Sequence, residues 1–313
     1  MKKRNNILLS CVVASLVLSS GYAGCPGDVV IINDVNTTGV ALTCTQNLNV
    51  TTSGSIKVFS DTNDTAAVNS DSNGSIINSG LITTDSSGQG GYAGGIMQHT
   101  NANNITNNGI IETNSTGGSR SVGIGQMFDA TFDSTGDKIL ISLGENYTNE
   151  GNITNHGTIK VDSNTSLAVG IIEVYGNVEN SGVIEANSST YVAVGVWNLH
   201  GNIENSGTVN VDSSGYVSAG IDGWDGNITN SGTIVAKAEN GYGVGIFSYN
   251  ENDSNVTISN SGTITATMAI QVEVYGDGAS SQIQNQGTIN TSAIYARGST
   301  LVNSGTINLH MGS

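Results

Sequence analysis

Basic residues are the scarcest resource of this chain, with nine Lys and Arg among 313 residues against 25 Asp and Glu. Three of the nine, Lys2, Lys3 and Arg4, open an apolar run from Ile7 to Leu18 that ends at Gly21-Tyr22-Ala23. A short basic start, an apolar stretch and small residues make a secretory leader, assigned to residues 1–23. Its removal leaves only Lys57, Arg120, Lys138, Lys160, Lys237 and Arg297, and the formal charge moves from -16 to -19. Six scattered cations cannot grip phosphates, so nucleic acid is excluded as a partner. No later segment has the roughly 20 consecutive apolar residues that a membrane helix needs. Cysteine is as scarce. Cys11 leaves with the leader, and the remaining pair, Cys25 and Cys44, is expected to form a disulfide outside the cytoplasm. An alternative reading makes Tyr22-Ala23-Gly24-Cys25 a lipoprotein box, with Cys25 lipidated; an intact-mass measurement separates the two.

One proline, 42 glycines and 5% aromatic residues give the look of low complexity. The chain is nevertheless periodic. The motif Asn-Ile-x-Asn-Ser-Gly-Thr-Ile runs through Asn152–Ile159, Asn177–Ile184, Asn202–Val209 and Asn227–Ile234, with its glycine at 157, 182, 207 and 232, a spacing of 25. Looser copies place that glycine at 54, 80, 109, 262, 287 and 305. A second motif follows 13 residues behind, as in Leu167-Ala168-Val169-Gly170-Ile171 and Val192-Ala193-Val194-Gly195-Val196. Each unit thus carries short β-like segments separated by Ser, Asn, Asp and Gly, and none shows a helical period. A unit this small cannot bury an apolar face alone, so successive units must stack.

Strand alternation assigns the faces. Ile153, Asn155, Ile159 and Val161 share a side that barely varies between copies, while Thr154, His156 and Lys160 share one that wanders. Stacking sets Asn155, Asn180, Asn205 and Asn230 above one another as an inward ladder of amides. In the second motif, strict alternation turns the residues one before and one after the glycine inward. The second and fourth residues after it then face out: Ile172 and Val174, Trp197 and Leu199, Asp222 and Trp224, Phe247 and Tyr249. Such an exposed apolar stripe is a candidate binding surface; the alternative is that the following loop folds back over it, or that the strand bends and turns these residues inward.

Coils of 25 residues built on Asn-Ile-x-Asn-Ser-Gly-Thr-Ile behind a leader resemble the passenger repeats of bacterial autotransporters. The resemblance implies an all-β, right-handed parallel β-helix of about ten coils over residues 48–313, about 50 Å long at ~4.8 Å per coil. Residues 24–47 are assigned to an N-terminal cap pinned by Cys25 and Cys44. A spacing of 48 from Gly109 to Gly157 marks an insertion near 127–150, either a projecting hairpin or a degenerate extra coil. The resemblance also implies a C-terminal translocator barrel. The sequence runs to Ser313 still repeating, and reading the gene further is expected to reveal more repeats and that barrel.

Motifs for chemistry are missing. Gly-x-Ser-x-Gly, a phosphate loop and the Gly-Gly-x-Gly-x-Asp calcium repeat do not occur. His99, His156, His200 and His310 hold unrelated repeat positions. No cofactor or metal is expected. The densest acidic cluster, Asp222-Gly223-Trp224-Asp225, reads as a polar turn more readily than as a calcium site or a pair of glycosidic carboxylates. Two functions follow: an exported adhesin of the cell surface or outer membrane, binding a host or extracellular glycan or protein without catalysis, or a β-helical polysaccharide lyase or glycoside hydrolase. The periplasm is the alternative location.

Overall fold

The computed structural model describes residues 29–310 apart from 62–63, 89–91, 100–103, 119, 127–150, 252–254 and 276–278. Every regular element among them is a β-strand, and the strands form three parallel sheets of 11, 11 and 10 members. The chain visits the sheets in rotation: Ile153–Asn155 in the first, Thr158–Ser163 in the second, Ala168–Glu173 in the third, then Val178–Asn180 back in the first. Each strand pairs with its equivalent one coil away, so that Ile153 meets Val178, Ile159 meets Ile184 and Ala168 meets Ala193. The fold is a parallel β-helix.

A single core fills the tube between the three sheets. In the second sheet one column runs in register from Ile56 to Ile289, every member fully buried. Each such side chain contributes roughly 1.5–3 kcal/mol by leaving water, but only because the coils above and below close the column. Where the chain turns from first to second sheet, Asn155 Nδ2 donates to Asn180 Oδ1 at 2.8 Å, Asn180 to Asn205 at 2.7 Å and Asn205 to Asn230 at 2.7 Å. The same amide chain extends from Asn78 to Asn303. The glycine after each asparagine is demanded by approach: a Cβ on Gly182 would collide with the Gly157 carbonyl oxygen of the coil beside it.

A second, exposed asparagine ladder runs beside the first. Asn152 Oδ1 accepts the backbone N–H of Asn177 at 2.9 Å, Asn177 Oδ1 that of Asn202 at 2.9 Å, and Asn202 Oδ1 that of Asn227 at 3.0 Å. These side chains satisfy backbone donors at the start of each first-sheet strand.

The leader and Cys25 lie outside the described residues, and the bridge from Cys25 to Cys44 stays an expectation. Cys44 closes the strand Val40–Cys44 with φ 60. That strand, with Val29–Ile32 and Val35–Asn36, forms the first coil and pairs with the next one. Residues 127–150 also lie outside the described residues. The strands on either side stack directly, Ile105–Asn107 on Ile153–Asn155, Ile110–Ser115 on Thr158–Ser163 and Arg120–Gln126 on Ala168–Glu173. The coils that flank residues 127–150 are thus direct neighbours in the stack.

The third sheet departs from strict alternation at its glycine. Ala168 and Ile171 belong to the tube core, whereas Val169, Ile172 and Val174 belong to a second cluster built from residues on and beside the third-sheet strands. A Cβ on Gly170 would point at Ile184 of the second sheet, so Gly170 and Ile171 both face inward. The pairing with the neighbouring coils stays one to one on both sides of the glycine, so the departure recurs in phase from coil to coil. The residue before the glycine consequently faces outward, contrary to the alternation argument, and only the residue after it faces in.

Candidate binding face

The outer side of the third sheet carries all seven candidate binding residues, and the structure divides them. Ile172, Val174, Trp197 and Leu199 are buried, at 1%, 0%, 1% and 6% exposure, within the second cluster alongside Met97, Val122, Val169 and Val194. These four are not surface, and the expected stripe is corrected to its other half. Trp224, Phe247 and Tyr249 are half-buried and continue the face over the following coils.

Register explains the arrangement. Asp222, Phe247, Gln271 and Tyr295 form one row across four coils, and Trp224, Tyr249, Glu273 and Arg297 form the next. The ring of Trp224 lies on that of Tyr249 with centroids 4.8 Å apart and planes tilted by 40°, and Tyr249 lies on Tyr275 at 5.1 Å. The coil repeat sets the first spacing, because Trp224 and Tyr249 are register partners, whereas Tyr275 reaches Tyr249 from two residues beyond its partner Glu273. Polar groups tie each ring down. Trp224 Nε1 donates to Asp222 Oδ1 at 3.0 Å, Tyr249 OH to Glu251 Oε1 at 3.0 Å, and Tyr275 OH to Glu273 Oε2 at 2.6 Å. Arg297 covers the end of the pile, its guanidinium carbon 4.6 Å from the Tyr275 ring centroid and Nη1 donating to Tyr275 OH at 3.2 Å.

Burial pushes the Asp222 carboxyl up to about 7, despite the bond from Trp224. The Tyr249 phenol is pushed up to about 12, first by desolvation and then by Glu251. Asp225 sits at φ 56, a left-handed conformation that Asp tolerates better than most residues. Its Oδ1 accepts the backbone N–H of Glu251 at 2.8 Å, and its Oδ2 lies 3.7 Å from His200 Nδ1. His200 stacks on Tyr175 at 5.1 Å. In Asp222-Gly223-Trp224-Asp225, one acid braces the indole and the other braces the turn.

Tyr275, Tyr295, Glu251, Glu273 and Arg297 escaped the sequence reading because they fall outside the regular 25-residue phase. The pairing of a tyrosine with a glutamate two residues away, as in Tyr249/Glu251 and Glu273/Tyr275, was the available signal. Elsewhere, a shallow depression of about 520 Å³ lies on the second sheet, lined in part by Asp85, Glu112, Lys160 and Asp162. Among the described residues no three His, Cys, Asp or Glu side chains are placed to hold a metal ion.

A family model described as the BigA third pectate lyase-like domain matches residues 46–297. The chain belongs to this family. In this BigA-type domain the matched span takes in all the repeats from the second coil to the strand that carries Arg297. No curated protein and no solved structure matches the chain.

Proposed function

We propose that this BigA-type domain is an exported, adhesive rod of the bacterial surface, of the autotransporter-passenger kind, and that it binds through the outer side of its third sheet around Trp224, Phe247 and Tyr249. The observation that carries the reading is the clustering of aromatic side chains on one face of a chain with only 5% aromatic residues. Such anchors suit recognition. The leader at residues 1–23 supports export, and the family supports a β-helical surface role. The carboxylates on this face are engaged by indole, phenol or backbone donors. That is shape-holding work, not the differently tuned pair that a lyase or hydrolase needs.

Adhesion of purified protein to host cells or immobilised glycans tests the reading. Tyr249→Ser with Tyr275→Ser is expected to lower adhesion at least about tenfold, the scale of losing one anchor, with little change in melting temperature. Undiminished adhesion by a folded double variant would remove the third sheet from the binding role.

A further inference from the structure

Resting on that reading of the third sheet, we infer that its partner is cationic: a protein segment that seats guanidinium or ammonium groups on the tyrosine–carboxylate pairs of the aromatic pile. The chain already displays the docking mode once. Arg297 lies over the Tyr275 ring and donates to its hydroxyl, which in turn donates to Glu273, whose other oxygen accepts from Gln271 Nε2 at 2.8 Å. A cation over an aromatic face with a carboxylate behind the phenol is a favourable, partly desolvated arrangement.

One coil earlier the hydroxyl–carboxylate half of this arrangement repeats, at the edge of a ring whose faces are both covered. Tyr249 and Glu251 form an exposed hydroxyl–carboxylate pair. Between described residues the ion-pair contacts are Lys160–Asp162 and His200–Asp225, and neither Glu251 nor Glu273 takes part in one. The geometry disfavours a sugar as occupant. Stacking on a pyranose requires an open ring face, and both faces of Tyr249 are taken by Trp224 and Tyr275, while the second face of Tyr275 is taken by Arg297. The pile presents ring edges, hydroxyls and carboxylates. Asp222, Asp225, Glu251 and Glu273 stand here against Arg297 and His200, on a chain of net charge -16. An acidic polymer is repelled from such a face, and a basic one is steered to it.

The test is titration of the protein with hexa-arginine, read by tryptophan fluorescence, because Trp224 lies in the pile and buried Trp197 gives a constant background. Glu251→Gln/Glu273→Gln is compared with Glu179→Gln/Glu204→Gln, which removes the same charge from exposed positions on the first sheet. Expected is binding at ~20 mM salt that disappears near ~500 mM. The strip variant should bind roughly tenfold more weakly and the control within about twofold of the parent, as local rather than diffuse attraction requires. Equal weakening in both variants would mean diffuse attraction to an acidic rod and overturn the inference. So would tighter binding of a neutral hexasaccharide than of hexa-arginine. Should Glu251→Gln/Glu273→Gln lose hexa-arginine yet adhere like the parent, the cationic partner is refuted while the adhesive reading stands; loss of the adhesive reading itself is seen only with the tyrosine variants.

Discussion

Glu173 shows what a single exception to the repeat does. It is fully buried at a corner of the third sheet, where Oε1 accepts the backbone N–H groups of Val174, Tyr175 and Gly176 at 3.0, 3.3 and 3.0 Å and Oε2 finds no partner. One coil on, its register partner Asn198 does similar work with an amide that donates to the Gly176 carbonyl at 2.9 Å. Burial pushes the Glu173 carboxyl up from 4.5 to about 8, its three backbone bonds notwithstanding. A raised folded-state value favours the protonated form, so its stabilising contribution is complete below about 4.5 and is lost as pH climbs toward 8, on the order of a few kcal/mol at most. Melting temperature is expected to fall over that window, and Glu173→Gln to flatten the fall and raise the value at pH 8; an unchanged slope would show that another group sets it. The inner ladder is as sensitive. Asn180→Ala strands the amide of Asn155 and the carbonyl of Asn205, and about 2–4 kcal/mol of stability should disappear in denaturant titration. This inner column was legible because an identical amide recurs at a buried phase. The outer column at Asn152, Asn177 and Asn202 recurs just as strictly, but its partners are backbone N–H groups, which side-chain pairing arguments do not consider.

Among the elements, the third-sheet strand is where sequence reasoning and structure part. Alternation works for Ile153–Asn155 and Thr158–Ser163, whose buried and exposed residues follow the expected faces. It fails past Gly170, Gly195 and Gly220, because a glycine and its successor both turn into the tube. No periodicity betrays two successive inward residues when both faces of the strand are apolar. The first of them has to be glycine, since a Cβ on Gly195 would lie 2.5 Å from the Gly220 carbonyl oxygen and closer still to Val209. Gly195→Ala is therefore expected to cost about 1–3 kcal/mol through overpacking, whereas Ser189→Ala, at an exposed corner of the same coil, should be nearly neutral. Comparable losses at both sites would contradict the close approach assigned to the glycine.

Over the whole molecule, stacking can set like charges side by side, as where Glu179 meets Glu204 on the first sheet, and one second-sheet column spaces them out. The outward column Asp85, Asn114, Asp162, Asn187, Asp212, exposed at its ends and half-buried between, alternates carboxylate and amide in register, with Asn187 Nδ2 donating to Asp162 Oδ1 at 2.8 Å. Carboxylates thereby stand two coils apart, about 10 Å, near one Debye length in ordinary buffer. Asn187→Asp sets three in consecutive coils, and a melting point lowered in ~10 mM salt but restored in ~500 mM salt is expected. Repeat phase, coil stacking and core columns could all be read from the sequence, since each depends on one coil and its neighbour. The division of the third-sheet face could not, since Trp197 and Phe247 hold the same register position two coils apart and yet one is buried and the other half-buried. The one-neighbour pairing has a mechanical consequence. Strands lie across the rod, so tension between its two ends loads the coil-to-coil hydrogen bonds as a zipper rather than in shear. The rod should yield coil by coil at low force, each 25-residue coil releasing about 80 Å of slack, and so work as a shock absorber for whatever it tethers.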